Sequence, residues 1–102
     1  MYIYEINIWF YETPVVYHEF HEVKKEKNGK YYFRRDGNLR DTVVDSRELN
    51  RMRTLFPRIG DGDMHNRIYV VADNPKEANE KLSDVIGKYL VNVKHKSIIA
   101  VF

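Results

Sequence analysis

The chain has 102 residues, 43% of them apolar and 31% charged, with a formal net charge of +2. That length suits one domain, residues 1–102, with a single core, and the composition excludes collagen, a mucin stalk and a wholly disordered chain. There is no cysteine, so disulfides, thiolate nucleophiles, zinc ribbons and iron–sulfur clusters are excluded as well.

The first segment, residues 2–11, alternates. Tyr2, Tyr4, Ile6, Ile8 and Phe10 fall on one side, and Ile3, Glu5, Asn7, Trp9 and Tyr11 on the other. Period two with β-branched and aromatic residues predicts a strand. Residues 15–26, rich in Val, Tyr and Phe, predict a second strand. Asn28-Gly29 follows, the dipeptide best suited to a type I′ hairpin turn, in which both central residues need positive φ. Lys30–Arg35 is then a third strand, and Asp36-Gly37 turns the chain into a fourth, Asn38–Val44.

Asp45 and Glu48 have the spacing of a capping box. Leu49, Met52 and Phe56 follow at helical intervals up to Pro57, so a helix of about three turns is expected here. Arg67–Ala72 is apolar on both sides, as a central strand should be. Asn74, Pro75 and Glu77 then supply an N-cap, an N1 proline and an acidic N3 residue. Ala78, Leu82, Val85, Ile86, Tyr89, Leu90 and Val93 form one stripe of a second helix. Lys96–Phe102 suits either a helical extension or a closing strand, and a strand or extended tail is favoured. The expected architecture is α+β: a mainly antiparallel sheet of about five strands, with two helices packed on one face. The core would lie between the helical stripe and the Tyr2/Tyr4/Ile6/Ile8/Phe10 side.

Charge is uneven. Residues 1–22 sum to −4, residues 23–58 to +6 and residues 59–102 to zero. The basic middle third interleaves Lys24, Lys25, Lys27, Lys30, Arg34 and Arg35 with Tyr31, Tyr32 and Phe33. Aromatics among cations on a sheet can stack bases and neutralise phosphates. Lys24, Lys25, Lys27, Lys30, Tyr32, Arg34 and Arg35 are therefore the candidate nucleic-acid or anion-binding residues. The signature of the common RNA-binding sheet is absent, and a solvated charged hairpin explains the same pattern.

On the first strand, Ile3, Trp9 and Tyr11 lie opposite the expected core. Left uncovered, they would form an aromatic patch of the kind that anchors protein interfaces. The competing expectation is that another element, or a second copy of the chain, covers them.

Other chemistry is sparse. His18 and His21 lie three apart, which on a strand puts them on opposite faces and denies them a shared metal. Asp61, Asp63 and His65 alternate in a glycine loop, but the calcium-loop pattern fails and turn chemistry accounts for them. There is no glycine-rich phosphate loop and no G-x-S-x-G motif, and no acid/base pair stands out. No catalytic residue, metal or cofactor is expected.

No apolar run reaches the roughly 18 residues of a membrane span. The N-terminal Met-Tyr-Ile-Tyr-Glu lacks the basic region of a signal peptide. A soluble cytoplasmic protein with no membrane partner is expected. In its size, lack of cysteine and abundance of Lys, Asn, Ile and Tyr, the chain resembles small phage or mobile-element proteins of AT-rich bacteria. That resemblance is compositional. It implies an inhibitor or regulator docking on a host protein, with the acidic first strands and basic hairpin as its electrostatic surfaces. The expected function is a non-catalytic protein-binding module, through a partner or self-association. Nucleic-acid binding by the basic hairpin 24–40 is the alternative.

Overall fold

A computed structural model describes residues 1–9, 15–56 and 65–89. The class is α+β and the pairing antiparallel, as expected. The described residues hold seven strands in two sheets and a single α-helix, rather than five strands and two helices.

The larger sheet has β1 (Tyr2–Trp9) and β7 (His65–Ala72) at its centre, with β2 (Val15–Glu22) and β6 (Met52–Phe56) at its edges, in the order β2-β1-β7-β6. The smaller sheet is β3 (Lys25–Lys27), β4 (Lys30–Phe33) and β5 (Thr42–Asp45) in that order. The helix α1 spans Pro75–Tyr89.

The alternation of β1 sets the layers. Tyr4, Ile6 and Ile8 join Ile68, Val70 and Ala72 of β7 on one face, where Ala78, Leu82, Val85 and Ile86 of α1 cover them. On the opposite face, Ile3 and Tyr69 pack against Phe33 and Val44 of the smaller sheet, with Val23, Leu49 and Val71 at the margin. The central sheet is thus enclosed by a helix on one side and a small sheet on the other. No helix among the described residues is long and apolar enough to cross a membrane.

Local chemistry explains the joints. Asn28 and Gly29 both have positive φ, 55° and 73°, and join β3 to β4 as an Asn-Gly turn should. The expected second strand is divided. Residues 15–22 pair with β1, whereas 25–27 pair with β4. Between them the Val23 N–H donates to Met1 and the Lys24 N–H to Tyr32, so the chain changes sheets at this corner.

The helix expected over residues 45–56 does not form. Its capping box does: Asp45 accepts from Arg47 N–H, and Glu48 accepts from Asp45 N–H. But it closes only the 3-10 turn Ser46–Glu48. Leu49 is then extended and Asn50 takes a left-handed φ of 58°. Leu49 packs in the small-sheet core, while Met52 packs in the helix-side core. Their helical spacing thus served two different layers. A capping box stabilises a start, and Asn50 in the left-handed region ends it within a turn.

At α1 the sequence signals hold. The Asn74 side chain accepts from Glu77 N–H at 2.9 Å, and Glu77 accepts from Asp73 N–H at 3.1 Å. The Glu77–Lys81 pair also forms, at 3.1 Å. Phe10, Tyr11, Asp61, Asp63, Leu90, Val93 and the expected closing segment 96–102 lie outside the described residues.

Candidate functional site

The small sheet covers only part of the face it packs on. The register defines rows across that face. Ile3 lies between His21 and Val71, Glu5 between Glu19 and Tyr69, Asn7 between Tyr17 and Arg67, and Trp9 between Val15 and His65. The face therefore runs from an apolar end at Ile3 to a polar and aromatic end at Asn7 and Trp9.

Glu5 is the pivot. It is fully buried and stands directly opposite Glu19, a like-charge pair that would destabilise the sheet unaided. Arg35, from the segment after β4, resolves the conflict. Its Nη1 donates to Glu5 Oε1 and, at 3.0 Å, to Glu19 Oε2; its Nη2 donates to Glu5 Oε2 at 3.2 Å and to the Tyr69 hydroxyl at 2.9 Å. Arg67 approaches from β7. Its Nε lies 3.1 Å from Glu5 Oε2 and donates to Asn7 Oδ1 at 2.7 Å, while its Nη1 donates to the Tyr69 hydroxyl at 3.1 Å. His21 Nε2 is 3.2 Å from Glu5 Oε1, and Asn7 Nδ2 donates to Glu5 Oε2 at 3.2 Å. His65 Nε2 and Asn7 Oδ1 are 2.8 Å apart, and the His65 ring stacks on Trp9 with centroids separated by 3.9 Å.

This network fixes protonation states. Burial alone would raise the Glu5 carboxyl. The hydrogen bond and charge of Arg35, with Asn7 and Arg67, outweigh it and hold the carboxyl below its ordinary range. Burial pushes the Tyr69 hydroxyl up. Burial, helped by Arg67, pushes His65 down.

Glu5, Glu19 and His21 also bring three potential ligand atoms within 4.8 Å of one another. Arg35 Nη1 bonds to both carboxylates of that set. The cation between these carboxylates is a guanidinium of the chain itself, and a metal would have to displace it.

The candidate residues are redistributed accordingly. Ile3 is not part of an exposed patch. It is fully buried beneath Phe33 and Val44, because the hairpin after β2 folds back as a second sheet. Trp9 is half-buried and stacked on His65, and Tyr11 lies outside the described residues. The basic cluster is also divided. Arg35 turns inward to Glu5, and Lys24 and Arg34 converge on Asp41, each at 3.1 Å. Those contacts, with the Lys24 hydrogen bond foremost, hold the Asp41 carboxyl low. Lys25 lies over the Tyr32 ring at 4.6 Å and shares the outer face of the small sheet with Lys27 and Lys30.

Two depressions flank the Glu19–Arg35 pair. A groove of about 700 Å³ runs beside β2, lined by residues 18–22 and, across from them, Lys24, Arg34, Arg35, Asp36 and Asn38. A smaller cleft of about 300 Å³ lies over the polar end of the sheet, at Asn7, Trp9, Tyr17, Arg35, His65 and Arg67. Sequence reasoning missed Glu5, Asn7, Tyr17, Glu19 and Arg67. The one available signal was a carboxylate and an amide between Ile3 and Trp9 on one side of an otherwise apolar strand.

No protein-family model matches the chain, and no curated protein or solved structure matches it.

Proposed function

We propose that the chain is a small non-catalytic protein-binding domain that takes up an extended segment of its partner along the outer edge of β2. The observation that carries this is the state of that strand. β2 is eight residues long and, among the described residues, pairs with β1 alone. It also presents Val15, Tyr17 and Phe20 at 37%, 57% and 60% exposure. An edge strand offers a row of backbone donors and acceptors, and an added strand gains affinity from them and specificity from side chains on alternate faces. Tyr17 projects on the small-sheet side and Phe20 on the helix side, so both faces of an added strand would meet an aromatic ring. Phe20 is seated by its neighbours, 5.7 Å from the Tyr4 ring and 6.2 Å from the Tyr2 ring. The groove beside residues 18–22 leaves room for the incoming chain. An inhibitor or regulator docking on a host protein, in the cytoplasm, is the biological form this reading takes.

The protonation pattern supports a non-catalytic role. Glu5 is held ionised, the Tyr69 hydroxyl is held protonated, and Arg35 is held charged by Glu5. None of the three is poised to exchange a proton near neutrality.

The test is affinity capture with the tagged chain, comparing wild type with Tyr17→Ala/Phe20→Ala. A partner bound through this edge should be held about 30-fold more weakly by the double variant, the loss expected when anchor aromatics are removed. It should be held normally by Lys27→Ala. Undiminished capture by the double variant would overturn the reading.

A second reading, nucleic-acid binding, retains Lys25, Lys27, Lys30 and Tyr32 on the outer face of the small sheet. Its mark is a log affinity that falls with log salt by about 0.7–0.9 per phosphate neutralised. Because Lys24, Arg34 and Arg35 are engaged by carboxylates, the slope should correspond to about three phosphates at most.

A further inference from the structure

The cleft at the polar end of the central sheet has the construction of a ligand site. We infer that it binds a small molecule made of a planar ring carrying one anionic group, with the anion on Arg67 and the ring against Tyr17 and Trp9.

A fully buried carboxylate, a nearly buried amide and a nearly buried imidazole on one sheet face are expensive to desolvate, and an apolar set would fold at least as well. What the network achieves is the immobilisation of Arg67. Its Nε bonds to Asn7, its Nη1 bonds to Tyr69, and Glu5 balances its charge. Asn7 is fixed in turn by Glu5 and His65. The remaining nitrogen, Nη2, makes no hydrogen bond among the described residues. A quarter of the side chain is exposed, and it lines the cleft. A guanidinium with a fixed plane and open donors is suited to an anionic oxygen.

The rest of the cleft selects the ligand body. Trp9 is held flat against His65 at an interplanar angle of 11°, and Tyr17 stands more than half exposed beside it. Rigid rings of this kind favour a planar partner. The cleft volume, about 300 Å³, is at the lower end for small-molecule sites. Glu19 also lines the cleft, but Arg35 covers its charge. Glu5, Glu19, Arg35 and Arg67 together are neutral, so recognition is by directed donors and affinity is modest. This site shares Tyr17 with the β2 edge, but Arg67, Trp9 and His65 belong to it alone, and its test is independent of protein partners.

Trp9 is the sole tryptophan, so intrinsic fluorescence reports on the cleft directly. The probes are adenosine monophosphate and benzoate, with adenosine, benzamide and inorganic phosphate as controls. A saturable change in emission with adenosine monophosphate or benzoate is expected, with half-saturation on the order of 1 mM or tighter. Which of the two binds more tightly tells phosphate from carboxylate. Arg67→Lys keeps the charge but loses the fork, and should weaken binding roughly 10-fold or more. Tyr17→Ala alters an exposed side chain and should weaken it roughly 5-fold or more without lowering the melting temperature. The inference is overturned by no saturable change with either ring-bearing anion. It is equally overturned if the neutral rings or phosphate alone bind as tightly, or if a folded Arg67→Lys and Tyr17→Ala both bind like wild type.

Discussion

The two faces of the central sheet are built from the same strands and stabilised by opposite means. On the helix side, Ile6, Ile8, Ile68 and Val70 are fully buried against Leu82 and its neighbours. That face is held by removal of apolar surface from water, about 25 cal/mol per Å². On the small-sheet side the apolar layer, Ile3, Phe33, Val44 and Tyr69, gives way within one row to Glu5 and its two arginines. The apolar face tolerates rearrangement in proportion to the volume changed. The polar face is conditional, because its members satisfy one another only as a set. A surface that must stay rigid while partly open to solvent is better served by the second construction.

Removal of one member of the set should therefore do the greatest damage. Glu5→Gln leaves Arg67 partly buried without a counter-charge and Arg35 with Glu19 alone, and is expected to cost about 3–5 kcal/mol. That is a large share of the roughly 5–15 kcal/mol that holds a domain of this size together. Urea denaturation would show it as a lower midpoint at unchanged slope. A loss under about 1 kcal/mol would mean that the arginines are hydrated well enough to need no partner.

The matching change on the apolar face is Leu82→Ala. Leu82 is fully buried between α1 and the sheet. The expected loss is about 2–4 kcal/mol, set by how far α1 can settle into the space. Salt tests the comparison. At about 1 M salt the Debye length falls to roughly 3 Å, but buried charges are screened little. The Glu5→Gln loss, with Glu5 fully buried, should therefore persist almost as fully as the Leu82→Ala loss, unlike that of an exposed ion pair.

A smaller effect is expected at the joint between the layers. Asn28→Ala removes, at φ 55°, the short polar side chain that eases this backbone region in the turn that holds β3 against β4. A non-glycine, non-asparagine residue there should cost about 1 kcal/mol. Hydrogen exchange should locate the loss in the small sheet and leave α1 protected.

The same contrast explains what was readable in the sequence. Period two in β1, the Asn-Gly turn and the Asn74-Pro75 helix start each depend on residues close together in the chain, and each is present. Residues 45–56 misled because the capping box and the Leu49/Met52 spacing are local signals too. Which of them prevails is decided by pairing of 52–56 with β7, across a stretch of chain that local spacing does not report. The small sheet was hidden for the same reason. Nothing near Val23 announces that the strand leaves one sheet for another, and so nothing announced that Ile3 would be covered. The polar network joins positions 5, 7, 19, 21, 35, 65, 67 and 69. No spacing rule links them; the alternation of β1 put Glu5 and Asn7 on one side with Ile3, but on the side opposite the expected core. Reading Arg35 with the other basic residues of the hairpin overlooked that a buried carboxylate must find a cation.

The gentlest test of the polar face is acid. His65 is pushed below its ordinary value of 6.5, chiefly by burial and further by Arg67. The folded state therefore holds fewer protons on it than the unfolded state does, and stability rises with pH across that interval. The stability linked to neutral His65 is complete above pH 6.5 and declines as pH falls from there towards its folded value. Glu5 is also lowered, from an ordinary value of 4.5. Its contribution is complete above pH 4.5 and is lost as pH drops through the folded value. Wild-type stability should accordingly decline in two stages, a shallow one below about pH 6.5 and a steeper one below about pH 4.5. His65→Gln should abolish the first stage and retain the second, whereas Glu5→Gln should flatten the second. Urea midpoints measured at half-unit steps between pH 3 and pH 8 would resolve the two. Stability that stays level down to pH 4.5 would show that His65 titrates alike in the folded and unfolded chains. The imidazole stacked on Trp9 would then be exchanging protons with solvent, and the polar end of the face would be wetter than the described contacts require.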